Sequence, residues 1–198
     1  MERLLIYVKH KFPFLWNVID WFNNHLFSAF FKSIFNQALE NALTNINPGE
    51  LSCRELRRVD LHQLYCLINS QDVSDLKYFK PHGFDMKSLE KQFSKSAFLM
   101  MGVFDKNTLV GYFFLRLFIN KKCFVGRLTD RNYRGKGLGK IMNKVMYELA
   151  WQMNFRCLST ISQNNKAVMQ AHSKNSSMKV LKKLSNDYLL VEFVQNSQ

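Results

Sequence analysis

Three alternating glycines stand in the run Arg134-Gly135-Lys136-Gly137-Leu138-Gly139-Lys140. Glycine lets the main chain enter left-handed conformations freely and come close to a bound group. Where such a run opens a helix, its N–H groups and those of the first helical turn converge on one spot, and that spot favours an anion. Arg134, Lys136 and Lys140 add positive charge around it. The chemistry indicated is a phosphate or pyrophosphate cradle. The spacing excludes two commoner cradles. A Walker loop needs G-x-x-x-x-G-K-[ST], whereas here Gly137 follows Lys136. A Rossmann fingerprint needs G-x-G-x-x-G. Gly135 and Gly137 fit it, but Lys140 occupies the third position.

Candidates for proton transfer are scattered. His82 lies in Lys80-Pro81-His82-Gly83. Asp130 lies just before Arg131 and could act as a base, directly or through water, or pair with Arg131 or Arg134. His172 titrates near neutrality in its ordinary state, and an imidazolium is a competent proton donor. Cys53, Cys66, Cys123 and Cys157 contain no C-x-x-C pair, so neither a zinc site nor a redox dithiol is indicated. Cys123 and Cys157 sit in apolar runs and read as core. Reduced thiols in a cytoplasmic protein are the simplest reading of all four.

The run Arg134 to Gly139 matches the pattern [RQ]-x-x-G-x-[GA]. Further on come Gln163-Asn164-Asn165-Lys166-Ala167 and Ala171-His172-Ser173-Lys174, similar to an Asn, Ala and Tyr-x-Lys signature. On these residues the chain resembles the GNAT N-acetyltransferases over residues 51–195. The resemblance implies an α/β (α+β) fold with a mixed, splayed central sheet flanked by helices. It implies acyl-CoA, acetyl-CoA foremost, as co-substrate, wedged between the fourth and fifth strands, with no metal. Main-chain groups at Arg127 and Thr129 would pair with the pantetheine arm. Arg134, Gly135, Lys136, Gly137, Leu138, Gly139 and Lys140 would take the pyrophosphate, and Asn165 would meet the cofactor near its pantetheine end. His172 stands where many relatives carry a Tyr that protonates the leaving thiolate.

These residues need elements to hold them. Leu109–Ile119 and Cys123–Thr129 are apolar runs separated by Asn120-Lys121-Lys122, and Phe98–Phe104 precedes them across Asp105-Lys106-Asn107. The pattern predicts three strands joined by tight turns. Apolar residues at helical spacing from Leu138 to Met153 predict the helix that the glycine turn opens. A strand over Arg156–Ser162, a short helix over Lys166–Ser173 and a strand over Tyr188–Val194 follow. Upstream, a helix is expected over 60–70 with Asp60 as its N-cap, a loop over 71–85 and a short helix over 86–95.

Residues 14–43 read as one long helix with an apolar face broadened by Trp16, Trp21, Phe27, Phe31 and Phe35. Asn47-Pro48-Gly49 ends it as a turn. The boundary is drawn there: an N-terminal amphipathic extension over 1–50 and an acyltransferase domain over 51–198. The helix must bury itself in that domain, a second subunit as a homodimer, or a membrane surface. Asn17, Asp20, Asn23, Asn24, His25 and Lys32 interrupt the run, so neither a spanning helix nor a signal peptide is matched cleanly.

The net charge of +13 lies wholly in residues 51–198, because four basic and four acidic residues cancel in residues 1–50. A basic body favours anionic partners. Nucleic acid is disfavoured, since the aromatics concentrate in the first fifty residues and the charge elsewhere. The expected activity is N-acylation of a small-molecule amine such as an amino sugar of surface-glycan biosynthesis. The alternatives are a protein or peptide amine acceptor, or a non-catalytic membrane-surface module. The expected location is cytoplasmic, including the periphery of the inner membrane surface.

Overall fold

The computed structural model describes residues 13–46, 49–173 and 175–195, and among residues 13–16 the backbone only. The turn expected at Asn47-Pro48 and Lys174 of the second signature lie outside the described residues.

The apolar runs in the middle of the chain pair in sequence order. Strands β1 (Leu51–Glu55), β2 (Phe98–Asp105), β3 (Thr108–Phe118) and β4 (Lys122–Thr129) form an antiparallel meander. Strand β5 (Arg156–Ser162) joins β4 in parallel. Strand β7 (Tyr188–Phe193) pairs with β5, and β6 (Met178–Lys183) lies outermost, giving a seven-stranded mixed sheet. The helices are α1 (Pro13–Thr44), α2 (Leu61–Asn69), α3 (Val73–Leu76), α4 (Met86–Gln92), α5 (Leu138–Gln152) and α6 (Lys166–His172). The expected helices and strands fall within a few residues of these bounds. Strands β1 and β6 and helix α3 were not expected.

Side chains alternate across each strand, so β2 serves two cores. Leu99, Met101 and Val103 pack with α1 and α5 on one face. Phe98, Met100 and Phe104 pack with α2 and α4 on the other. A sheet covered on both faces needs continuous apolar strands, which is why the central runs lack polar alternation.

Helix α1 docks through Phe27, Phe35, Ala38 and Ala42, all buried in the core that α5 and the sheet share. Phe27 and Phe31 meet Phe155 edge-on, with centroids 6.5 and 5.1 Å away. Polar contacts set the register. The Asn23 amide donates to the Leu117 carbonyl at 2.9 Å and accepts from Ile119 N at 3.1 Å, so it completes the end of β3. Asp20 bridges Lys95 at 2.8 Å and Arg116 at 3.0 Å. Burial alone would raise the Asp20 carboxyl, but the hydrogen bonds and charges of Lys95 and Arg116 outweigh it and hold the pKa below its ordinary value. One face of α1 is thus committed to the sheet and α5. A second stripe, Ile19, Phe22, Leu26, Phe30 and Ile34, stays exposed beside it. Among the described residues, no helix is long and apolar enough to cross a membrane.

Asp60 occupies the N-cap position of α2, yet its side chain does not cap that helix. The carboxylate instead accepts from Arg57 N at 2.8 Å and takes both Arg54 guanidinium nitrogens at 2.7 and 2.8 Å. This fork ties edge strand β1 to the 3₁₀ turn Arg58–Asp60.

Candidate active site

Strands β4 and β5 pair over only three positions, Lys122↔Arg156 to Phe124↔Leu158. Beyond these they part. Ser159 Oγ donates to the Val125 carbonyl at 3.0 Å, a side chain standing in for the missing ladder bond. Between the parted strands lies a cavity of ≈ 470 Å³. Strand parity decides what faces it. Asp130 N donates to Val110 O, so Leu128 and Gly126 also direct their main-chain groups toward β3. Arg127 and Thr129 therefore turn their N–H and C=O groups the other way, into the gap, where no strand pairs with them. An extended polar chain laid in the gap can take those bonds.

Of the glycine turn that opens α5, only Arg134 lines the cavity; Gly135 to Lys140 lie outside the lining, with Gly139 set against Arg127, which does line it. Gly135 and Gly137 hold φ +78° and +85°. A Cβ at either position would meet nothing within 4 Å, so glycine is needed there for conformation rather than space. Gly137 is the N-cap of α5, and the N–H groups of Leu138 and Gly139 have no partner within the helix. Gly139 is needed for a different reason. A Cβ there would come within 3.0 Å of the Arg127 guanidinium. Arg127 lies across this helix start with Nε donating to Asn143 Oδ1 at 2.8 Å. Burial lowers its pKa from the ordinary arginine value.

The other cations of the turn are partly engaged. Arg134 donates to Asp75 at 2.7 Å and to Gln71 at 3.1 Å. Lys136 sits 4.5 Å above the Tyr133 ring, whose hydroxyl donates to Asp105 at 2.6 Å. Lys140 is exposed on the first turn of α5. Asp130 pairs with neither Arg131 nor Arg134. Its carboxylate caps the 3₁₀ turn Arg131–Tyr133 by accepting from Asn132 N at 2.8 Å, and Arg131 is nearest Asp72.

Of the three candidates for proton transfer, only His172 lines the cavity. It ends α6, whose N-cap Asn165 accepts from Val168 N and also lines the cavity. The His172 ring is buried against Phe193, 5.3 Å between centroids. Burial, and then the Arg127 charge, lower its pKa to about 4. The ring is therefore neutral at pH 7, not the imidazolium its ordinary pKa allows. Asn175 Oδ1 accepts from Ser177 N, which turns the amide nitrogen toward His172 Nδ1 at 3.2 Å. Nδ1 then accepts, and the proton stays on Nε2. Sequence reasoning missed Asn143 and Tyr147, which line the same wall one helical turn apart on α5. Their polar i, i+4 spacing on an otherwise apolar helix face was the available signal.

His82 lies outside the cavity lining. Its Nδ1 faces Gly83 O at 2.8 Å and its Nε2 faces the hydroxyl of the fully buried Tyr112 at 2.7 Å. A carbonyl only accepts, so Nδ1 carries the proton and Tyr112 donates to Nε2. Burial lowers the His82 pKa. The dyad pins the loop whose Tyr78, Phe79, Lys80 and Pro81 line the cavity opposite His172. Among the described residues, no group of three or more His, Cys, Asp or Glu is placed to hold a metal ion.

The sequence model of the acetyltransferase (GNAT) family matches residues 60–175. This chain belongs to the GNAT acetyltransferase family. The match takes in the parted strands, the glycine turn and α6. The GNAT fold extends to solved structures of low identity. The PaiA N-acetyltransferase from Thermoplasma acidophilum, solved in complex with coenzyme A, is 16% identical with a TM-score of 0.60, over 73% of this chain and 99% of that one. The ribosomal-protein-S18-alanine N-acetyltransferase from Escherichia coli is 9% identical with a TM-score of 0.54, over 75% and 97%. A spermidine N-acetyltransferase SpeG chimera from Vibrio cholerae and hSSAT is 15% identical with a TM-score of 0.56, over 73% and 93%. No curated protein matches the chain. Two of these enzymes carry different acceptors in their names, a ribosomal-protein alanine and spermidine, so the shared fold leaves the acceptor of this acetyltransferase open.

Proposed function

We propose that this GNAT enzyme transfers an acyl group, acetyl foremost, from acyl-CoA to a small-molecule amine, with an amino sugar of surface-glycan biosynthesis as the leading candidate. The observation that carries the donor half is the parting of β4 and β5, with unpaired main-chain groups of Arg127 and Thr129 running from the cavity toward the glycine turn. The pantetheine arm takes those main-chain bonds. The turn Arg134 to Lys140 takes the pyrophosphate, and Asn165 borders the arm. The neutral amine attacks the thioester carbonyl, the C–N bond forms and the C–S bond breaks in one ternary complex. The proton lost by nitrogen balances the thiolate that leaves. Nε2–H of neutral His172 is the group that donates a hydrogen bond to that sulfur. His82 and Asp130 act by position in this reading: His82 pins the acceptor loop, and Asp130 shapes the 3₁₀ turn leading into the phosphate cradle.

The cavity, ≈ 470 Å³, is of small-ligand size, which supports a small acceptor over a folded protein surface. The exposed stripe of α1 and the net charge of +13 support peripheral contact with an anionic membrane surface over pairing with a second, equally basic copy. An acceptor screen that follows CoA release tests the activity, with amino sugars, nucleotide-linked amino sugars and an N-terminal peptide in one panel. Acylation of the peptide alone refutes the small-molecule reading. Flotation with anionic vesicles tests the stripe: no flotation of the parent refutes membrane contact, and equal flotation of Phe22→Ser/Phe30→Ser and the parent refutes contact through the stripe.

A further inference from the structure

The acceptor side of the cavity is walled by rings. Tyr78, Phe79 and Pro81 come from the loop after α3, Phe114 from β3 and Phe124 from β4. The rings brace one another. Phe98 stacks on Phe114 at 5.3 Å and 8°, Phe84 stacks on Phe79 at 6.2 Å, and Tyr112 meets Phe79 edge-on at 6.1 Å. Gly126 belongs to the same wall. A Cβ there would lie 2.6 Å from Phe114, so glycine lets that ring lie flat over β4. Such a wall offers broad faces to a flat ring and few hydrogen bonds.

The charges bordering the cavity are one-sided. Asp75 is the only carboxylate among the lining residues, and Arg134 already holds it at 2.7 Å. Arg127 and Arg134 belong to the donor side. Lys80, exposed beside Phe79, forms no ion pair among the described residues. A second ammonium on the acceptor would meet no free carboxylate and several cations, whereas an anion would meet Lys80.

We propose that the acceptor carries its amine on or beside a ring that stacks on this wall, either an aromatic ring or the apolar face of a sugar, together with an anionic group met by Lys80. This rests on the acyl-transfer reading above. The anion has two sources, the carboxylate of an amino acid or the phosphate of a sugar derivative, and both present the same charge. Polyamines are excluded as preferred acceptors.

The test compares matched amines at saturating acetyl-CoA by CoA release: phenylalanine against phenethylamine, glucosamine 1-phosphate against glucosamine, and spermidine. The member of at least one pair that bears the carboxylate or phosphate is expected to exceed the partner lacking it about tenfold in kcat/KM, which identifies the source of the anion, with spermidine poorest. Lys80→Met is expected to bring that ratio toward one, chiefly through KM. Phe79→Ala is expected to raise KM for the preferred ring acceptor. Preference for spermidine or for the members lacking the anionic group overturns the proposal, as does a ratio unchanged in Lys80→Met. The rise in melting temperature with acetyl-CoA separates the two readings. If it is present and no ring amine is consumed, the acceptor proposal falls alone. If it is absent in the parent enzyme, the donor reading falls and takes this proposal with it.

Discussion

The state of His172 is the sharpest consequence of the site geometry. Its pKa is lowered from 6.5 to about 4 by burial and the Arg127 charge. At pH 7 about one molecule in a thousand then carries the charged ring. In the unfolded chain the ring titrates at its ordinary value, so unfolded molecules bind this proton first as pH falls. The stability this group contributes is complete above pH 6.5 and is lost as pH falls through about 4. The difference of about two and a half pKa units corresponds to about 3 kcal/mol. For a domain of this size that is about 6–12 °C in melting temperature. The perturbation is His172→Gln, which retains a polar side chain and removes the titration. Melting temperatures from pH 7.5 to 4 are expected to fall more steeply in the parent than in the variant, by about that amount. Nitrogen NMR of the His172 ring, assigned by its loss in the variant, is expected to show the Nε2–H tautomer through pH 6. A ring that titrates near 6.5, or equal slopes for the two proteins, refutes the reasoning. It would also restore the imidazolium as the leaving-group acid.

Other outcomes follow from packing and charge. Gly139→Ala places a Cβ 3.0 Å from the Arg127 guanidinium, which Asn143 holds, so a loss of about 1–2 kcal/mol in thermal stability and weaker CoA binding by calorimetry are expected. Phe27→Ala empties a position 1% exposed between α1, Phe31 and Phe155 and is expected to cost about 3–5 kcal/mol in urea unfolding. Asp20→Asn leaves Lys95 and Arg116 facing each other across a half-buried contact. It is expected to cost about 2 kcal/mol at pH 7, with the difference from the parent vanishing as pH falls below the lowered Asp20 pKa.

The parts of the fold legible in sequence are those with strong local pattern. The helical spacing from Leu138 and the apolar runs from Phe98 to Thr129 had no other reading, because each buries a face or two. Strand β6, Met-Lys-Val-Leu-Lys-Lys, buries almost nothing and leaves Val180 and Leu181 exposed. Its lysines guard a sheet edge, so it carries no period to detect. Strand β1 is the opposite edge, held by Arg54 and Asp60, and its alternation, Leu51 and Cys53 around Ser52, is too short to stand out. Within the site, the glycine turn was legible because backbone conformation demands glycine locally. The parting of β4 and β5 came only with the family resemblance, since Arg127, Ser159 and Thr160 beyond the point where pairing stops read equally as ordinary strand residues. Neutral His172 depends on Phe193, Arg127 and Asn175, which only the folded chain brings together. Asp130 seemed destined for Arg131 or Arg134, but a main-chain N–H two residues away was nearer than either guanidinium.

The central claim is that acyl-CoA lies in the parted strands with its pyrophosphate on the turn Arg134 to Lys140. The most direct measurement is the melting temperature with acetyl-CoA in large excess, for the parent and for Gly137→Val/Gly139→Val. Ligand at about one hundred times its Kd adds about 2.7 kcal/mol, so the parent is expected to rise by about 5–11 °C. The variant, checked for a cooperative melt without ligand, is expected to lose most of that rise. No rise in the parent, or an equal rise in both proteins, contradicts the claim.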